Sequence, residues 1–93
     1  GFAPALLLLA DQMIEAEQFA AALDALAAIA PTDPLAGAAA LRRAGLLDRL
    51  DRLPEAEAIL RDLIAALPQL PQPRMRLGDI LRRRERFADA ALA

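Results

Sequence analysis

The chain contains no cysteine and no histidine. The first absence excludes disulfides, thiolate metal sites and a cysteine nucleophile, and it leaves the redox compartment open. The second removes the commonest general base and metal ligand. Tryptophan and tyrosine are missing as well, and the 3% of aromatic residues are Phe2, Phe19 and Phe87. Valine is absent, which leaves few β-branched residues and argues against a sheet. Lysine is absent too, so all 11 basic residues are arginine, set against 13 acids for a formal net charge of -2. That balance gives no general attraction toward nucleic acid. No apolar run has the length needed to cross a bilayer, since the run 6–10 ends at Asp11. No basic segment precedes that run, so it lacks the pattern of a signal peptide.

What is present points to helices. Hydrophobic residues make up 57% of the 93 residues, and much of that share is alanine, the strongest helix former. A chain of this size is near the limit for a single self-sufficient core. Sliding the sequence against itself by 34 positions reveals an internal repeat. Ala10 falls on Ala44 and then Gly78. Met13 falls on Leu47 and Leu81, Phe19 on Leu53 and Phe87, and Ala22 on Ala56 and Ala90. Leu26 meets Leu60, Ile29 meets Leu63, and Pro34 meets Pro68. The set preserves size as well as polarity, which chance matching in an alanine-rich chain does not.

Prolines and capping residues divide each repeat into two helices. The pattern predicts helices over about 4–15, 18–30, 35–49 and 54–66, with Asp33 as a cap and Pro34 and Pro54 at first turns. Pro68, Pro71 and Pro73 read as a stiff connector, followed by a fifth helix to about Arg84 and a sixth that begins at Phe87. Apolar stripes at three- and four-residue steps run through Phe19, Ala22, Leu23, Leu26 and Ile29, and through Leu53, Ala56, Ile59, Leu60, Leu63 and Leu67. Small residues at 10, 22, 44, 56, 78 and 90 let paired helices approach closely. One pair cannot bury its stripe alone, so pairs are expected to stack.

These residues resemble the tetratricopeptide repeat (TPR): Leu9-Ala10, Met13, Phe19, Ala22, Leu26, Ile29 and Pro34; then Ala44, Leu47, Leu53, Ala56, Leu60, Leu63 and Pro68; then Leu77-Gly78, Leu81, Phe87 and Ala90. The resemblance implies an all-α fold, a TPR-like right-handed superhelical solenoid of antiparallel helix pairs. It comprises about two and a half repeats in one unit, 1–93, at about 3–34, 37–68 and a truncated 71–93. The ends inside helical pattern read as those of a fragment. There are departures. The tryptophan position holds Leu6, Ala40 and Arg74, Arg43 stands at a leucine position, and the turn glycine is replaced by Glu17, Asp51 and Glu85. Several stretches also look like large alphaproteobacterial TPR proteins, which points to a bacterial origin and to the periplasm or outer-membrane side.

In this family the first helix of each pair lines the concave face. By position the candidate partner-binding groove is Leu7, Asp11, Ile14, Leu41, Gly45, Asp48, Met75, Asp79 and Arg82, an apolar and acidic stripe with a basic end. The competing view is that Leu7, Leu41 and Met75 simply pack against neighbouring helices. The asparagine positions of the chaperone-tail clamp hold Leu8, Arg42 and Arg76, so that clamp is not inherited. Arg82, Arg83, Arg84 and Arg86 read as a solvated face or as salt bridges between repeats. The acid pairs Asp11/Glu15, Asp51/Glu55 and Glu85/Asp89 lack a nucleophile, cofactor loop or metal set beside them, and Gly37, Gly45 and Gly78 build no phosphate loop. The expected function is a non-catalytic protein-interaction scaffold that binds a peptide or helix, with no cofactor and no metal. The alternative is a structural spacer or a module that self-associates through exposed repeat ends.

Overall fold

The computed structural model describes residues 2–92, with side-chain surroundings for residues 2–86. Among the described residues five helices follow one another: α1 (Ala3–Glu15), α2 (Phe19–Ala27), α3 (Ala36–Arg49), α4 (Leu53–Ala66) and α5 (Pro71–Leu92). Each packs chiefly against its neighbour in sequence, in an elongated slab of 49 × 32 × 15 Å. The all-α expectation therefore holds, as a series of sequentially packed helices.

The internal repeat is written into the backbone. Glu17 and Asp51, 34 positions apart, are the two non-glycine residues with positive φ among the described residues, at 60° and 57°. Around each, the same three bonds recur. The Glu17 and Asp51 amides donate to Ile14 and Asp48 carbonyls at 3.0 and 3.1 Å. The Gln18 and Arg52 amides reach back to Met13 and Leu47, both at 2.8 Å. Ala16 and Leu50 amides donate to Gln12 and Leu46. This is the Schellman ending, in which a left-handed residue lets the chain reverse while the last carbonyls stay bonded. Both turns manage it without the glycine that the geometry favours.

The small residues do what their spacing requires. Ala10, Ala22, Ala44 and Ala56 are completely buried, at the crossings of α1 with α2 and of α3 with α4. Two cores result. The first gathers Ala10, Ala22, Leu26 and Ile29 with Ala39 and Leu46 of α3. The second gathers Ala44, Leu47, Leu53, Ala56 and Leu60 with Leu77 and Ile80 of α5. Helix α3 thus buries one face against the first couple and another against α4.

Several boundaries differ from expectation. Helix α2 stops at Ala27, three residues short of the expected end, and Ala28 and Ile29 tighten into i→i−3 bonds ahead of Pro31. The Asp33 carboxylate caps as foreseen, accepting the Leu35 amide at 2.8 Å, but α3 starts only at Ala36. Pro71 and Pro73 are not a connector: they open α5, and Pro73 is fully buried. The first turn of a helix has no use for those amide hydrogens, so two prolines there sacrifice no bond. Arg84, Glu85 and Arg86 continue α5 with no left-handed turn at Glu85, so the fifth helix does not end at Arg84. The side chains of Phe87 and Ala90 lie outside the described residues. Gly78 is also not a crossing point here, because a Cβ placed on it meets nothing within 4 Å. Leu81, its companion in the pattern, is 37% exposed.

Ala44→Leu should destabilise by about 1–3 kcal/mol through overpacking, whereas Gly78→Ala should stabilise by about 0.5–1 kcal/mol by stiffening an uncrowded helix position. Urea denaturation of the two variants against the parent checks the opposite signs. Glu17→Gly should gain about 0.5–1 kcal/mol by relieving the left-handed backbone. Asp51→Gly should gain less, because the Asp51 carboxylate also holds Arg83 at 2.9 Å.

Candidate functional site

Helical periodicity turns Leu41, Gly45 and Asp48 of α3 toward the same side, between α1 and α5. There the structure forms an open depression of about 470 Å³, lined by Ile14, Leu41, Arg42, Gly45, Leu46, Asp48, Arg49 and Arg76. Four of the nine sequence-nominated residues, Ile14, Leu41, Gly45 and Asp48, meet in it. Ile14 and Leu41 also pack on the first and second cores, so their exposed edges form the floor. Leu7 packs on the first core, and Asp11 borders the depression through Arg42. Met75 is 69% exposed and, with Asp79 and Arg82, stands outside it. Asp79 and Arg82 pair with each other on the α5 surface.

The acids of this face are not free. Asp11 accepts two bonds from Arg42, from Nε at 2.9 Å and from Nη2 at 3.3 Å. Asp48 is ion-paired with Arg83 and lies 4.0 Å from Arg76. Its Oδ1 is enclosed and faces the Arg83 guanidinium. The Arg76 guanidinium lies over Gly45, 3.4 Å from where a Cβ would stand, so the glycine makes room for it. Among the described residues Arg49 has no acid within ion-pairing distance, and it rests over the Phe19 ring, 5.4 Å from its centroid. The face expected to be apolar and acidic is therefore apolar and arginine-rimmed. Arg42, Arg49 and Arg76 were not nominated from sequence. Arg42 and Arg76, 34 positions apart on first helices, were the available signal.

The arginine cluster of α5 works between couples. Arg83 spans Asp48 and Asp51, and Arg84 reaches Glu57. Glu57 also accepts two bonds from Arg61, at 3.1 and 2.7 Å. Its side chain is 15% exposed because the two guanidiniums cover it, and a polar cover of this kind favours the carboxylate. The Arg61 hydrogen bond, with the Arg84 charge beside it, holds the Glu57 carboxyl below its ordinary value. The Arg52 hydrogen bond does the same for Glu55. Among the described residues no three acids gather as a metal site, and no helix is long and apolar enough to cross a membrane. Of the acid pairs, Asp11, Asp51 and Glu55 are each tied to an arginine, and the side chain of Asp89 lies outside the described ones.

Compared with protein-family models, with curated proteins and with solved structures, the chain matches none.

The depressed Glu57 and Glu55 values carry a sign. A carboxyl whose pKa is lower folded than unfolded adds stability above its unfolded value, and that stability is lost as pH falls through the folded one. Glu57→Gln should therefore flatten the loss of stability on acidification, read as a smaller drop in urea midpoint from neutral pH to below the ordinary carboxylate range. An unchanged slope would show that Arg61 and Arg84 leave Glu57 unperturbed.

Proposed function

We propose that this chain is a segment of a TPR-like right-handed superhelix and that it works as a non-catalytic scaffold, holding a peptide or helix of a partner protein on the face shared by α1, α3 and α5. The observation that carries this reading is the open depression between Ile14, Leu41 and Gly45, rimmed by Arg42, Arg49 and Arg76. A shallow apolar floor with a charged rim suits an extended polypeptide surface, whereas small-molecule pockets enclose most of their ligand. The matched turns at Glu17 and Asp51 and the buried alanines at 10, 22, 44 and 56 support the repeat assignment.

Leu41 packs on the second core, so the face is better probed through its exposed side chains. A photo-crosslinking residue at Arg49 or Arg76, both exposed and lining the depression, should capture a partner chain in the native host, while the same residue at exposed Thr32 in the α2–α3 loop should not. Arg49→Glu should abolish capture at Arg76. Equal capture at Thr32 would reject this face.

A second reading, self-association, draws on a different observation. Phe2 is 84% exposed, and Leu8 and Leu9 further along α1 are exposed as well. Large apolar side chains left in solvent favour association. Light scattering over a concentration series should then show mass growth that Phe2→Ser with Leu8→Ser removes, and a constant monomer mass rejects it.

A further inference from the structure

The opposite edge of α3 carries a second feature, separate from the face just described. Ala40, Arg43 and Leu47 project there at helical spacing, about half a turn from Leu41 and Gly45. Helices α2 and α4 stand on either side and scarcely touch each other. Two depressions of about 470 and 480 Å³ lie between them and share Arg43 and Ile59, so they form one continuous furrow with α3 as its floor.

Its charges are arranged and unspent. Arg43 is half-buried in the middle of the floor, and no carboxylate lies within ion-pairing distance among the described residues. At the equivalent position of α5, 34 residues on, Leu77 is buried in the second core. An apolar side chain would fill this place more cheaply than an arginine without a partner. Asp24 on the α2 bank and Asp62 on the α4 bank are exposed and equally unpaired. They line opposite halves of the furrow, one on each side of Arg43. The furrow thus presents a cation at its centre, with Asp24 toward one half and Asp33 and Asp62 toward the other, along largely apolar walls; Arg52 and Glu55, also on the Asp24 side, are paired with each other.

We propose that this furrow docks an amphipathic helix of a partner protein, one that sets a central carboxylate on Arg43 and flanking basic residues on Asp24 and Asp62. A helix fits because an apolar stripe laid over α3 between two banks repeats the packing used along the whole chain. The nine residues of α2 match an occupant of about two and a half turns.

The test uses a fluorescent helical peptide of leucine and alanine with one central glutamate and lysines at each end. A second probe replaces the glutamate with glutamine. The glutamate probe should bind, shifting backbone amide resonances of Ala27 and Ala58 and leaving those of Ile14 and Gly45 in place. Arg43→Gln should weaken it by about tenfold or more, while affinity for the glutamine probe stays unchanged, since a charge-assisted contact is lost only when both partners are present. Asp24→Asn with Asp62→Asn, both at exposed positions that leave the fold intact, should weaken both probes and reduce their salt dependence. Equal affinity for the two probes overturns the proposal, as does binding at the Ile14–Gly45 face or no binding at all. Decanoate competing at Arg43 as well as the peptide does would assign the furrow to free amphiphiles and also overturn it.

Discussion

Close approach of helix backbones through alanine is the constraint on which this structure rests. Where Ala10 meets Ala22's helix and Ala44 meets Ala56's, no side chain extends past a methyl group, and all four are fully buried. The two helices of a couple can then bring the longer residues beside them, Leu26 in the first couple and Leu60 in the second, into full burial. Neither couple closes its own core. Ala39 and Leu46 of α3 complete the first, and Leu77 and Ile80 of α5 complete the second. The core is therefore a chain of small cores linked through shared helices, and stability depends on each neighbour being in place.

Much of this was legible in the sequence, for a physical reason. Crossing points demand small residues, turns demand a reversal, and both recur at a fixed period, so Ala10, Ala22, Ala44 and Ala56 could be named before any coordinates. The positions that join one couple to the next were harder to see. Ala39 and Pro73, and likewise Leu46 and Ile80, are each 34 apart and all buried. Their counterparts in α1, Ala5 and Gln12, are exposed, and Gln12 is polar. The echo at these sites is thus present only twice and is masked at its first occurrence. Pro71 and Pro73 misled for a related reason: proline breaks a helix interior but suits its first turn, and sequence alone does not say which side of the boundary a proline occupies.

The candidate face was half legible. Ile14, Leu41, Gly45 and Asp48 follow from helical phase, and they do come together. Its electrostatic character did not follow, because that depends on which long side chains reach across a couple. Arg42 crosses to Asp11, Arg76 and Arg83 cross to Asp48, and the acids that gave the stripe its expected sign are neutralised. Arginine reach spans several ångströms and several rotamers, so pairing of this kind is set by tertiary placement, not by periodicity.

These pairs have a structural role distinct from their energy. Individually, exposed ion pairs contribute about 0–1 kcal/mol. Alanine-lined interfaces, however, are smooth, and a smooth interface specifies its register weakly. The bridges from α1 to α3, from α3 to α5 and from α4 to α5 each join one helix to another at a defined height. A slip by one turn would separate every one of them, so their joint effect is to select the alignment that the small residues merely permit. The same logic singles out the charges left over. Among the described residues, Arg49, Arg43, Asp24 and Asp62 are joined to no opposite charge, and they sit beside two of the open surfaces that the helices leave uncovered. Charges that fix the register are consumed in doing so, and recognition has to draw on those that remain.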